Sequence, residues 1–390
     1  MTQDVSQAVR KLFPGAGQSA YLDVASRGLL PESSLAVAQE HLMARVLGRA
    51  DKARYFELVE LARSRFAQLI GAGAAEVAIT KNVSEGLNII ATAIEWQPGD
   101  EVIVCSTLEH PNNLYPWRNL ERLGVRVVDI PDVLGVMPID AMIARLAPKV
   151  RVVALSATTF RPGFRTDLER IGRACRAHGA LLVVDAAQTV GITHVDVAAQ
   201  HIDMLAASTQ KGLCSLYGMG FLYMREAVAE RMTPTALARF GVDIEKTHEA
   251  DYDPGPIRFR RAALRFDVGN YNFLAANLTA HAMAIILEQG THAIDAHVSS
   301  LAARLVAALR AQGIEPMMHE AATLANIVCV DVSQPATKSQ PDRLYAFMKS
   351  RNVIAALRGR YLRFSLHFYN NADDVDAAAT VLGDFRRAPD

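Results

Sequence analysis

The sequence predicts an α/β protein: a large domain around a mostly parallel sheet, seven-stranded in type, followed by a smaller C-terminal α+β domain. Three observations carry that expectation. Short apolar runs alternate with helical segments from about residue 60 to 225. Those runs are continuously apolar, as strands covered on both faces should be. From about Phe273 onward the order changes to long helices separated by isolated strands.

Taken along the chain, Ser84 to Ala93 reads as a helix with Ser84 as N-cap ahead of Leu87, Ile89 and Ile90. The turn Pro98-Gly99-Asp100 launches a strand over Glu101 to Cys105, and the runs Val125 to Ile130 and Val150 to Leu155 read as two more. Thr166-Asp167-Leu168-Glu169 reads as a capping box whose helix Gly179 closes. Leu181 to Val184 and Met204 to Ala207 then read as buried parallel strands. Beyond them, Leu274 to Glu288 reads as a connector helix, about 294–312 and 341–350 as helices, and Ala325 to Val332 as a strand. In Tyr361 to Phe368, Leu362, Phe364, Leu366 and Phe368 share one face, and Arg363, Ser365 and His367 the other. A final helix starts near Ala372. The expected division is residues 1–20 as a segment associated with the small domain, 21–272 as the large domain, and 273–390 as connector helix and small domain.

With 390 residues, 51% of them hydrophobic, the chain is long enough for two cores. The 41 basic and 41 acidic residues balance without a dense basic stretch, which argues against nucleic-acid binding. The segment MTQDVSQAVRKLFPGAG has no apolar h-region, and no apolar run reaches membrane-span length. Cys105, Cys175, Cys214 and Cys329 are far apart and form no CxxC pair, and no histidine shows metal-ligand spacing with them. A cytoplasmic enzyme with reduced thiols and no metal is the resulting expectation.

The chemistry is read from strand ends. Open α/β sheets bind ligands at the C-terminal ends of their strands. Asp185 ends one apolar run, and Ser208 and Lys211 lie just beyond the next. A carboxylate and an amine at neighbouring strand ends are what pyridoxal phosphate chemistry requires: the lysine forms a Schiff base, and the aspartate keeps the pyridine nitrogen protonated. One Asp ending a strand and one Lys on a loop occur in many α/β proteins, so the pair gains its meaning from its companions. The glycine pairs Gly71/Gly73 and Gly218/Gly220 lack a dinucleotide fingerprint and read as turns, which disfavours a nicotinamide-dependent oxidoreductase.

Together with Gln188 and with His110 in LEHPNN, these residues resemble the class V aminotransferase family of fold-type I pyridoxal phosphate enzymes, on the branch of cysteine desulfurases, selenocysteine lyases and isopenicillin N epimerase-like proteins. The likeness runs from YLDVASRGLLP to RFSLHFYNNADDVD and includes ITKNVSEGLN and GFRTDL. It implies Lys211 as the Schiff-base lysine and base at Cα, Asp185 on the pyridine nitrogen, Gln188 on the phenolic oxygen and His110 stacked on the ring. It implies a phosphate cup of Val83, Ser84, Ser208 and Gln210, with Asn270 reaching across a homodimer interface. Arg363 is implied as the holder of the substrate α-carboxylate, and Ser26, Phe160 and Arg358 as its neighbours in an amino-acid pocket.

The sequence departs from its relatives in several places. Gln210 replaces the histidine that precedes the lysine in many of them, and it cannot titrate as imidazole does. Phe160 stands where several place an asparagine, and Asn270 where a threonine is common. Between Leu357 and Arg363 the chain reads Arg-Gly-Arg-Tyr-Leu, with no cysteine and no long loop. Cys214, the thiol nearest Lys211 in sequence, reads as packing beneath the cofactor. The expectation is an enzyme acting at Cα of an amino acid, aminotransferase-like, with a β-eliminating C–S lyase or an epimerase as the alternatives. A non-catalytic binding protein on the same fold is disfavoured by the presence of both Lys211 and Asp185.

Overall fold

The computed structural model describes residues 5–244, 255–317, 323–333 and 340–388. Residues 1–4 of the expected N-terminal segment lie outside them.

The apolar runs form a seven-stranded sheet: β1 (Val77–Thr80), β2 (Glu101–Val104), β3 (Arg126–Asp129), β4 (Val150–Ser156), β5 (Leu181–Asp185), β6 (Met204–Ser208) and β7 (Gly220–Met224). Their order is β1-β7-β6-β5-β4-β2-β3. Strand β7 runs antiparallel to both its neighbours, and the other pairs are parallel. Successive side chains of a strand point to opposite faces, so an all-apolar strand feeds two cores at once. Ile103, Leu182 and Val184 join one buried cluster, while Val102, Val104 and Val183 join another across the sheet. Each such side chain contributes about 1.5–3 kcal/mol on full burial.

Helices cover both faces. Helices α1 (Ser34–Val46) and α2 (Lys52–Leu69) precede the sheet, α3 (Val83–Ala93) follows β1, and α4 (Leu168–His178) leads into β5. The expected Ser84 cap of α3 is corrected: Asn82 is the N-cap, accepting from the Glu85 N–H at 2.9 Å, so Ser84 sits inside the first turn. Helix α4, by contrast, is capped one residue later than expected. Asp167 accepts from Arg170 N, because the Thr166 hydroxyl is spent on the Ser156 carbonyl at 2.7 Å. Gly179 ends it in the left-handed conformation, as expected (φ 74°). Gly220 is not a turn residue but the first of β7, where an added Cβ would lie 2.7 Å from the Ala207 carbonyl oxygen.

The connector helix α5 (Phe273–Gln289) packs along α2, and Gly290 separates it from α6 (Thr291–Ala311). Strands β8 (Ile327–Asp331), β9 (Ala356–Arg358) and β10 (Tyr361–Ser365) form an antiparallel sheet in the order β9-β10-β8, flanked by α7 (Pro341–Ser350) and α8 (Ala372–Arg387). Strand β10 stops at Ser365, three residues short of the expected Phe368. Its polar face is not in water either, because Arg363, Ser365 and His367 are all buried. The N-terminal segment packs on this part of the chain. Phe13 meets Phe368 and Tyr369 at 5.5 and 5.0 Å between ring centroids, and Arg10 pairs with buried Asp374 at 2.7 Å.

Candidate active site

Parallel pairing aligns β4, β5 and β6 so that Ser156 lies opposite Asp185, and Asp185 opposite Ala206. Three chain segments therefore leave the same sheet edge: 157–160 after β4, 186–190 after β5, and 209–215 after β6. Lys211 lies on the last of these and is partly buried. Burial pushes its ammonium down to about 8, against the opposing pull of the Asp185 carboxylate, and Arg363 and Arg358 add to the depression. Asp185 is buried, and that burial raises its pKa although the Ala187 N–H bonds Oδ1 at 2.9 Å and Lys211 and His110 face it. The lysine, the aspartate and His110 thus share one locus, as the sequence implied.

His110 is exposed by area, yet loss of solvent is still the first cause of its lowered pKa, ahead of the Lys211 charge. Its Nδ1 accepts from Asn112 N at 3.2 Å, and its ring meets Phe160 edge to face at 5.4 Å. Phe160 is partly buried where it meets His110. Gln188 donates from Nε2 to the Ala25 carbonyl at 3.2 Å, and its Oε1 has no partner.

Val83 and Ser84 occupy the first turn of α3, whose N–H groups have no intrahelical acceptor and whose dipole favours an anion. Ser208, 3% exposed at the end of β6, has an unpartnered hydroxyl. Gln210 is partly buried, and its carbonyl accepts from Gly28 N at 2.8 Å. Asn270 stands apart. It is exposed and lines an open pocket of about 280 Å³ with Thr80, Lys81 and Glu85, and that pocket includes none of Asp185, Ser208 or Lys211.

The expected substrate residues converge from the other side. Arg358, exposed on β9, donates to Ser26 Oγ at 2.7 Å, and Arg363, 3% exposed on β10, donates to the same oxygen at 3.1 Å and to the Phe160 carbonyl at 3.4 Å. Ser26 in turn donates to Asp23 Oδ1 at 2.7 Å. Burial holds Arg363 below the ordinary guanidinium value, and its Nε has no partner. The segment joining β9 to β10 is a two-residue turn, Gly359-Arg360, between the paired residues Arg358 and Tyr361.

Three side chains of this site were not singled out from sequence. Glu109 is buried beside His110 and accepts from Ser156 N, Ser156 Oγ and Asn113 Nδ2 at 2.6–2.7 Å. Burial raises it to about 7, with the Asp185 charge adding to the rise. Thr158, 1% exposed just past β4, has an unpartnered hydroxyl, and its position beyond an apolar run was the available signal. His367 donates to the backbone next to Lys211 and was visible only as part of an alternating face.

Buried polar atoms left without partners are rare in native folds, and each asks for an explanation. Among the described residues eleven such atoms occur. Ser208 Oγ, Thr158 Oγ1 and Gln188 Oε1 lie on the strand ends and segments at the sheet edge that carries Lys211, and Arg363 Nε belongs to a cation that lowers the Lys211 pKa. The others include Ser34 Oγ, Tyr55 Oη and His201 Nδ1. The Ser208 and Thr158 hydroxyls and the Arg363 Nε–H can donate to a ligand rich in acceptors and anionic oxygen, such as pyridoxal phosphate, whereas Gln188 Oε1 can only accept. Among the described residues no group of three or more His, Cys, Asp or Glu could hold a metal ion.

The model of the aminotransferase class V family matches residues 20–378. An uncharacterised aminotransferase of Bacillus subtilis is 26% identical over 373 residues, 96% of each chain. A probable cysteine desulfurase of Pseudomonas aeruginosa is 29% identical over 81% of this chain and 80% of its own. In fold, the chain resembles the apo cysteine desulfurase of Thermococcus onnurineus (TM-score 0.85, 24% identity, 97% of both chains). It also resembles the cystine C–S lyase C-DES in complex with cysteine persulfide (TM-score 0.85, 20% identity, 95% of this chain and 99% of that one). With the family model spanning nearly its whole length, the chain belongs to the aminotransferase class V family of pyridoxal phosphate enzymes.

Proposed function

We propose that this enzyme, a transferase or lyase by its family, acts at Cα of an amino acid, with Lys211 holding pyridoxal phosphate and Arg363 holding the substrate carboxylate. The observation that carries the reading is Lys211, whose pKa burial lowers to about 8, facing the buried Asp185 carboxylate, His110 and the cations Arg363 and Arg358 at one sheet edge. When bound, the cofactor supplies an electron sink for charge that develops at Cα.

The chain's own groups then divide the work. Asp185 faces the pyridine nitrogen as a buried carboxylate. His110, held against Phe160, covers the ring, and Gln188 offers its remaining amide hydrogen to the phenolic oxygen. Val83 and Ser84 receive the phosphate on the first turn of α3, with the Ser208 hydroxyl and Gln210 beside them. Lys211, part of it neutral near pH 8, serves as nucleophile and then as the base that takes the Cα proton at Nζ. Arg363 and Arg358 place a carboxylate by charge-assisted hydrogen bonds where they now share Ser26 Oγ.

We favour transamination over persulfide transfer. The two-residue turn Gly359-Arg360 carries no thiol, and all four cysteines are buried, so persulfide transfer to an acceptor lacks an accessible nucleophile. A β-elimination that releases sulfur to solvent needs no such thiol, and it is the second reading. We further infer a homodimer, supported by the exposed apolar residues Leu35, Leu42 and Val46 at helical spacing on α1, and by Asn270, which is free to reach a second subunit. A cytoplasmic setting is supported by the four free thiols. Among the described residues no helix is long and apolar enough to cross a membrane.

The test is direct. Purified protein supplied with pyridoxal phosphate should turn yellow, and borohydride should fix the cofactor to the peptide containing Lys211. Labelling of another lysine, or of none, would sink the reading. An amino-acid screen scored for keto acid, pyruvate and sulfide then separates transamination from elimination.

A further inference from the structure

Strand β10 and the residues that follow it turn one polar face toward three separate pieces of the site, at alternate positions. Arg363 reaches Ser26 and Phe160. The Ser365 hydroxyl accepts from Ala25 N at 2.9 Å and so anchors the loop that carries Ser26. His367, fully buried, reaches furthest. Its Nδ1 accepts from Phe368 N at 2.7 Å, which leaves the proton on Nε2, and Nε2 lies 2.8 Å from the Gly212 carbonyl oxygen. Gly212 is the residue after Lys211.

The turn that carries the lysine needs such a hold. Cys214 lies in the left-handed region (φ 50°), a conformation that a side-chain-bearing residue keeps only when its surroundings impose it. Gly28 N bonds the Gln210 carbonyl at 2.8 Å, and a Cβ on Gly28 would clash with the Lys211 carbonyl oxygen. The His367 imidazole also contacts both Gly212 and the Cys214 sulfur, the latter at 3.5 Å from Nε2. Its ring is itself fixed by stacking on Tyr369, with centroids 4.9 Å apart.

We propose that His367 is a positioning residue for Lys211: its Nε2–H holds the Gly212 carbonyl, and it thereby ties the lysine turn to the strand that carries Arg363. The inference rests on Lys211 being the cofactor lysine. It assigns His367 a part that the active-site residues named above do not cover. One stretch of backbone then sets both the substrate anchor and the reacting amine, so the distance between them is built into a single strand. The imidazole does no proton chemistry, because burial keeps it neutral down to about 3.

The experiment follows Lys211 itself, in cofactor-free protein, by the pH dependence of its acetylation with acetic anhydride, read by peptide mass spectrometry. The charged groups facing the amine are Asp185, His110, Arg363 and Arg358, and none of them is altered. In wild type the midpoint should fall near 8. His367→Leu frees the turn and admits water to Nζ, so the midpoint should rise by about one unit or more. His367→Gln, which can still present an amide hydrogen to Gly212, should restore most of that shift. If His367→Leu does not fold, His367→Asn, polar but too short to reach Gly212, takes its place with the same expectation. An unchanged midpoint overturns the proposal. Equal shifts in the Leu and Gln variants, with equal losses of thermal stability, also overturn it, since they would make His367 a packing residue. Failure of borohydride labelling in wild type counts against the functional reading and leaves this measurement, made without cofactor, to stand or fall separately.

Discussion

Two buried charged regions of this protein are built in opposite ways. Around Arg63 every group is paired. Arg63, 1% exposed, donates to Asp267 Oδ2 at 2.7 Å and to the Val77 carbonyl, and pairs with Glu60. Asp267 also accepts from Ile79 N and Tyr271 Oη, each at 2.8 Å. Around Lys211 the amine is desolvated beside one buried carboxylate, and the hydroxyls of Ser208 and Thr158 bond nothing. A fully satisfied buried ion pair holds architecture, since removing one partner strands the other. An unsatisfied one is stability given up for binding. The satisfied network ties α2 to β1 and to the segment that leads to Asn270, while the unsatisfied hydroxyls lie where we propose that the cofactor binds.

The two regions differ most sharply in the sign of their mutational effects. Arg63→Met should destabilise the cofactor-free protein by about 3–5 kcal/mol, because Asp267 is left buried without its cation. Urea denaturation at pH 7 measures this, and a loss below about 1 kcal/mol would break the contrast. Lys211→Met should do the reverse and stabilise the cofactor-free protein at pH 7. The gain should be on the order of 1–2 kcal/mol after allowing for solvent around a partly exposed chain. A loss of stability there would mean that the lysine is well paired.

The same difference should depend on pH. Folded Lys211 releases its proton near 8 and unfolded lysine near 10.5, so between those values the unfolded state binds more protons. Stability attributable to this group therefore rises with pH across the window, and below it the charged amine carries its full cost. The advantage of Lys211→Met over wild type should shrink steadily from pH 8 upward. Taking the difference between the two proteins cancels the buried thiols and tyrosines, which titrate in the opposite sense. An advantage independent of pH would remove the electrostatic explanation.

The smallest effect is expected at Ser208. Ser208→Ala deletes a buried hydroxyl without a partner, so the cofactor-free protein should keep its stability or gain up to about 1 kcal/mol. Retention of pyridoxal phosphate on dialysis should nonetheless weaken. A clear destabilisation of the cofactor-free protein would show that the hydroxyl is satisfied and would count against its place in the phosphate cup.

Much of the fold and of the site is legible in the sequence, for identifiable reasons. Continuous apolar runs such as Leu181 to Val184 announce strands buried on both faces. The polar residue that ends such a run must emerge at the sheet edge, which is how Asp185 and Lys211 can be paired from sequence. Caps are harder. Ser84 and Thr166 each stand near a better acceptor, Asn82 or Asp167, and a shift of one or two residues along the chain changes nothing in the pattern of apolar residues. His367 and Ser365 are legible as one face of an alternating strand, but alternation alone cannot say that this face meets protein in place of water.

Composition and periodicity by themselves determined the sheet, the flanking helices and the identity of the residues that emerge at its edge, because burying apolar surface at periods of two and 3.6 leaves few choices. Tertiary structure alone decided which polar groups would be left unpartnered, that Arg358 and Arg363 meet at Ser26, and that His367 grips the turn of Lys211. Those outcomes hang on contacts between residues far apart in sequence, and on the loss of water around them. Neither has any local signature in the chain.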